Sequence, residues 1–241
     1  MAPVKKLLIS QFTVQSTTRD DLATRILDRM AGHEKTILLF ANTNFIVNCR
    51  FVIEYSGEPS VILVNDGVGM DIAAKLLHGE KFADNLNGTD FTPYLMRQAT
   101  RPLRVFLLGG KPDILEKAAT YAKEVLGQTI AGKCDGYGGL KNAPDILDRI
   151  NKSCPDILLV AMGNPMQEKW IFDHRHQIDA RLFMGVGALF DFWAGGKPRA
   201  PAIVRRLRLE WLYRLCHEPK RLLRRYTLDI FVFLRQCFKY K

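Results

Sequence analysis

The sequence predicts an α/β fold: a doubly wound, mostly parallel sheet sandwiched by helices. Three observations carry that prediction. Short β-rich runs alternate with longer helical patterns along most of the 241 residues. Several of the runs are apolar throughout, as strands covered on both faces are. The chain is also long enough to bury one such domain and carry an appendage.

Taken in order, the first strand is "KKLLIS" (5–10), followed by a helical pattern over 18–31. "TILLFA" (36–41) leads into a helix over 43–54, and "SVILVN" (60–65) into helices over 67–78 and 89–99. "LRVFLLG" (103–109) precedes a helix over 112–126, and "QTIAG" (128–132) one over 143–152. "DILLVAM" (156–162) precedes a helix over 165–175, and "RLFMGV" (181–186) closes the series. Strands that alternate with helices in this way pair in parallel. After Trp193 the segment "AGGKPRAP" reads as a hinge. Two amphipathic stretches follow, over 201–216 and 219–238, with Pro219 suited to a first helical turn. The expected division is a body over 1–195 and a basic helical appendage over 196–241.

Charge supports that division. From Lys197 onward there are thirteen Lys/Arg and three Asp/Glu, which is the whole net charge of +10. Such asymmetry points to a polyanion: nucleic acid, anionic lipid or a phosphorylated ligand. In "RRLRLEWLYRLCHEPKRLLRRY" (205–226) arginines are interleaved with leucines and aromatics. The leucine content exceeds what a groove-reading helix needs, and no nucleic-acid motif is present. An interfacial helix fits better, with Arg at anionic headgroups and Leu and Trp in the acyl boundary. Nucleic acid is therefore not expected as a partner. The five cysteines are scattered, without CxxC spacing, which excludes a disulfide framework and suits a reducing cytosol. No signal peptide and no transmembrane run is expected.

In a doubly wound sheet ligands bind at the carboxyl ends of strands, so the segments just after each strand matter most. "DGVGM" (66–70) places Asp66 there, either as a helix cap or as a catalytic group. "GNPMQEKW" (163–170) offers Asn164 as N-cap and Pro165 as first helical residue, with Gln167 and Glu168 in the first turn. "GALFDFWAGG" (187–196) sets Asp191 among aromatics, to pair with a base or to hold a sugar hydroxyl. Gly109 and Gly110 in "LLGGKPDILEK" form either a tight connection or an anion-binding helix start. The "CDGYGGL" loop (134–140) allows the same two readings. GxGxxG, the P-loop and HExxH are all absent. A nicotinamide oxidoreductase is disfavoured on that ground, and neither metal nor cofactor is expected.

Seven segments in one order resemble the WecG/TagA/CpsF glycosyltransferase family: "NDGVG" (65–69), "NGTDF" (87–91), "VFLLGGKPDI" (105–114), "DGYGG" (135–139), "VAMGNPMQEKW" (160–170), "GVGALFDFWAGGKPRAP" (185–201) and "LEWLYRLCHEPKRLLRRY" (209–226). The resemblance implies a Rossmann-like body with a C-terminal appendage. It implies metal-independent, inverting transfer from a UDP-sugar to a sugar on undecaprenyl diphosphate, in assembly of bacterial surface polysaccharide. The protein would sit peripherally at the cytoplasmic face of the inner membrane, against an anionic surface. Self-association into a homo-oligomer is in keeping with it, although no interface pattern is legible. By resemblance Asp66 is the base. So too Asn44, Gln167 and Asp191 contact substrate and Arg214, Arg221 and Arg224 offset the diphosphate charge, while Gly109, Gly110 and Asn164 at helix starts, and Asn42 and Asn85 at positions that depart from the family, are also expected at the substrate.

Departures from the family pattern fall at the sugar end. Asn42 stands where many members have Thr, Phe45 and Ile46 replace an acidic residue, and Asn85 replaces an Arg. Loss of that Arg removes a partner for a uronate. The expectation is therefore a neutral hexose: UDP-glucose to lipid-linked glucose with a β-1,4 link, the GumM-like glucosyltransferase branch. The alternative is transfer of ManNAc or ManNAc-uronate onto lipid-linked GlcNAc.

Overall fold

The computed structural model describes residues 4–136, 143–196, 200, 201, 204, 210–217, 219 and 227–240. The chain opens with a hairpin, β1 (Lys5–Ile9) and β2 (Phe12–Ser16), then α1 (Arg19–Ala31) and β3 (Thr36–Ala41). Next come α2 (Thr43–Asn48), a 3₁₀ segment (Arg50–Tyr55), β4 (Val61–Asn65), α3 (Val68–His78) and α4 (Gly88–Gln98). β5 (Arg104–Gly109), α5 (Pro112–Glu124), β6 (Thr129–Cys134) and α6 (Ala143–Ser153) follow. The body ends with β7 (Ile157–Ala161), α7 (Met166–His174), β8 (Leu182–Gly185) and α8 (Leu189–Trp193). In the tail lie α9 (Glu210–His217) and α10 (Leu228–Lys239).

The eight strands among the described residues form one sheet in the order β1-β2-β4-β3-β8-β7-β5-β6. β1 and β2 are antiparallel, and the pairings across the rest of the sheet are parallel. The predicted fold class is the one observed. Alternate residues serve opposite helix layers: Ile37 and Leu39 of β3 enter one core, Leu38 and Phe40 the other. α2, α3, α6 and α7 cover the first face, and α1, α4, α5 and α8 the second. Local chemistry starts several helices. Thr18, Asn42 and Asn87 each accept a backbone N–H from the residue three positions on, which satisfies donors that a first turn leaves open.

Several elements differ from the sequence reading, among them the short helix α8, which was not expected. β2 was not expected. Its turn residues Ser10 and Gln11 have φ of 47° and 75°, a left-handed pair that sequence usually announces with Asn-Gly or Asp-Gly. The helix expected over 43–54 divides at Cys49, where α2 gives way to the 3₁₀ segment. In the tail, α10 packs against α2 and α3, and its Phe233 and Cys237, four residues apart, each 1% exposed, complete the first core. That helix carries an apolar face into the body and leaves Phe231 (71% exposed) and Phe238 outside.

Candidate functional site

The carboxyl ends of the central parallel strands converge on one cavity of about 900 Å³. Its walls come from different strands: Asn42 and Asn44 after β3, Asp66 after β4, Gly110 and Lys111 after β5. Asn164 and Gln167 follow β7, and Gly187 and Asp191 follow β8. This is where a sheet of this class places its ligand, near the point where successive strands are added in opposite directions.

Asp66 is held on two sides. Its backbone N–H donates to Ala41 O at 2.7 Å, and Asn42 Nδ2 donates to its Oδ2 at 3.2 Å. Asn42 also caps α2, with Oδ1 accepting from Phe45 N–H at 3.0 Å, so its amide cannot turn over without breaking both bonds. Gly67 comes next with φ 91°, a conformation that favours glycine. It is the N-cap of α3, and no side chain caps that helix. Gly67, not Asp66, thus occupies the N-cap position itself. Asn85 Oδ1 accepts the Gly67 N–H at 2.6 Å, which pins the turn from the far side. Asn85 does not line the cavity; it braces the loop that carries Asp66.

Gly109 and Gly110 explain their own identities. A Cβ on Gly109, at φ 115°, would lie 2.4 Å from Ala161 O, so β5 passes β7 there only as glycine. Gly110 donates to the same carbonyl at 3.1 Å and lines the cavity, whereas Gly109 lies behind it. Lys111 follows at the N-cap of α5, where aligned peptide dipoles favour an anion. It is the one Lys or Arg among the described lining residues, against Asp66, Asp113, Asp191 and Asp229.

Asn164 does not cap α7, contrary to the sequence reading. Pro165 occupies the cap position after a cis peptide bond, and no side chain caps the helix. The Asn164 amide is drawn inward instead, donating Nδ2 to Glu168 Oε1 and, at 3.8 Å, to Cys49 Sγ. Gln167 is 3% exposed, and its Oε1 accepts N–H bonds from Gly163 (3.2 Å) and Gly187 (2.9 Å). It ties the β7–α7 turn to the β8–α8 turn. Of the aromatics flanking Asp191, Phe190 and Trp193 belong to the core, with Trp193 stacked on Tyr121 at 5.6 Å, and Phe192 reaches the cavity.

Comparison with known proteins is decisive about kinship: residues 7–241 match the glycosyl transferase WecG/TagA/CpsF family. The chain belongs to this family. A curated relative from Bacillus spizizenii is 34% identical over 172 residues, covering 70% of this chain and 66% of its own length, a little under two thirds. That relative is named N-acetylglucosaminyldiphosphoundecaprenol N-acetyl-β-D-mannosaminyltransferase.

Within this WecG/TagA/CpsF-family chain, the cavity gathers Asp66, Asn42, Asn44, Gly110, Asn164, Gln167 and Asp191. Arg221 and Arg224 lie outside the described residues, as does the side chain of Arg214 on α9. Thr89, Lys111, Asp113 and Asp229 also line the cavity, though sequence reasoning did not single them out. Lys111 adjoins the glycine pair and was findable from that. Asp229 belongs to α10 and reaches the site only because the tail folds back.

Proposed function

We propose that the protein is an inverting glycosyltransferase, moving N-acetylmannosamine from its UDP-sugar to N-acetylglucosamine on undecaprenyl diphosphate. The observation that carries the reading is Asp66, a carboxylate at a strand's carboxyl end, lining the cavity, with one oxygen held by Asn42. In a single displacement the acceptor hydroxyl attacks the anomeric carbon while Asp66 takes its proton. The new C–O bond forms on the face opposite the breaking one, and that bond's electron pair leaves with the β-phosphate of UDP. A fixed carboxylate beside an open cavity suits that role, because the orientation is settled before substrate arrives.

The donor choice follows the relative's name, and the geometry weakens one objection to it. Two of the four residues whose departure suggested glucose are occupied locally: Asn42 with Asp66 and the α2 cap, Asn85 with Gly67. Their identity speaks to the architecture of the loop more than to the sugar. Lys111, the α5 N-terminus and the tail arginines offset the charge that develops on the diphosphate.

The membrane reading rests on α10 and on composition. Phe231, Val232 and Phe238 stand exposed beside Arg235 and Lys239. Among the described residues no helix is long and apolar enough to cross a membrane. Apolar residues flanked by bases suit peripheral attachment to the anionic cytoplasmic leaflet, where the lipid-linked acceptor is found. The test is direct: incubate the protein with UDP-N-acetylmannosamine and lipid-linked N-acetylglucosamine, in the presence of chelator, and read the product by mass spectrometry. A parallel arm pairs UDP-glucose with lipid-linked glucose. Product in that arm alone would return the donor to glucose, and product in neither would sink the glycosyl-transfer reading.

A further inference from the structure

Glu168 lies beneath the cavity floor, 1% exposed, in the first turn of α7. Among the described residues it forms no ion pair; besides its own backbone N–H, its partners are two amides and a thiol. Oε1 accepts from Gln167 Nε2 at 2.7 Å and from Asn164 Nδ2, while Cys49 Sγ approaches Oε2 at 3.7 Å. β8 makes room for this cluster at Gly185. A Cβ there would lie 2.9 Å from Gln167 Nε2 and 3.4 Å from Glu168 Oε1.

A carboxyl oxygen of this kind decides what its neighbours show to the cavity. An amide side chain has a donor end and an acceptor end of nearly equal shape. Glu168 takes the donor ends of both Asn164 and Gln167. For Gln167 that leaves Oε1 to hold the N–H groups of Gly163 and Gly187. For Asn164, a cavity-lining residue, it leaves Oδ1 as the atom available to a ligand. Protonation of Glu168 on Oε2 would not reverse this, since Oε1 would still accept.

We propose that Glu168 is a positioning residue for the donor sugar: by fixing the two amides it sets Asn164 Oδ1 as an acceptor for a sugar hydroxyl or acetamido N–H. The inference rests on the glycosyl-donor reading above. An acceptor attracts such groups and repels phosphate oxygens, so Asn164 meets the sugar and not the diphosphate. Strand order places Asn164 between the two ends of the cavity, one spacing from the cation and three from the base. Asp66 after β4 and Lys111 after β5 are four strand spacings apart, about 19 Å. Asn164 after β7 stands between the base at one end and the cation at the other.

The test is calorimetric binding of UDP and of UDP-N-acetylmannosamine to the full chain and to Glu168→Ala, Glu168→Gln and Asn164→Ala. With the amides free to turn, Glu168→Ala weakens the UDP-sugar about tenfold, the value of one hydrogen bond in a dry site. Its affinity for UDP stays level. Glu168→Gln keeps an oxygen at the Oε1 position and retains sugar binding. Asn164→Ala reproduces the sugar-selective loss, and serves where Glu168→Ala fails to fold. Equal losses for UDP and UDP-sugar, or no loss in either alanine variant, would overturn the positioning role. A wild-type chain that binds neither ligand would overturn the donor reading itself, and this role with it.

Discussion

Asp66 and Glu168 are both acids at the carboxyl edge of one sheet, and each is held by asparagine. Asp66 borders the cavity after β4, with one oxygen engaged by Asn42. Glu168 is sealed below the floor after β7, and its oxygens face Asn164, Gln167 and Cys49. Burial raises the Glu168 carboxyl above the ordinary glutamate range, with the hydrogen bonds only partly opposing it. On the proposed reading the same chemical group serves two ends. Where solvent and substrate can reach it, it can exchange a proton. Where they cannot, it arranges other groups.

The widest separation between the two acids is expected in turnover. Asp66→Asn keeps shape and hydrogen bonding but removes the base, and transfer should fall by about a thousandfold. Melting temperature should stay level. An unchanged rate would strip Asp66 of its role and leave the contrast without its catalytic half.

Stability sharpens the other half. A carboxyl whose pKa is raised by folding stabilises the protein fully below its unfolded value, and that contribution is lost as pH rises through the folded value. Wild-type melting temperature should therefore contain a component that declines as pH rises from the ordinary glutamate range. Glu168→Gln should remove that component, as read by thermal scans across pH. A slope unchanged by the substitution would mean that Glu168 is not the buried acid responsible.

Of the eight described strands seven were legible in the sequence: β3, β4, β5, β7 and β8 are apolar and buried along nearly their whole length, as parallel packing requires, while β1 and β6 showed only as short β-rich runs. β2 was not, because its turn is made by Ser10 and Gln11 and not by residues that favour left-handed backbone. Asp66 was legible from its place after a strand. The task of Asn85, bracing Gly67 from eighteen residues away, depends on how α3 and α4 return to the sheet. The fold-back of α10 was hidden for a different reason. An apolar stripe such as that through Phe233 and Cys237 looks the same whether lipid or a protein core covers it.

That ambiguity yields a smaller prediction, since the two faces of α10 should respond differently. Phe233→Ala should destabilise the protein by about 3 to 5 kcal/mol, measured by denaturant unfolding. Asp substituted at Phe231 and Phe238 should leave unfolding nearly level and weaken sedimentation with anionic vesicles. Equal effects from both faces would merge what the structure separates. The smallest effect is expected at Asn42. Asn42→Thr keeps an oxygen for the α2 cap and gives up the bond to Asp66. Stability should shift by about half a kcal/mol or less, while turnover falls by about tenfold.

The fold-back of α10 also sets an order in time. The ribosome makes every strand, Asp66 and Glu168 before it makes Phe233 and Cys237. Until α10 emerges, the face formed by α2 and α3 lacks part of its cover, and the cavity lacks Asp229. A nascent chain with a finished sheet is thus still an unfinished site. On the proposed reading, competence for transfer would await α10, which follows the basic stretch out of the ribosome.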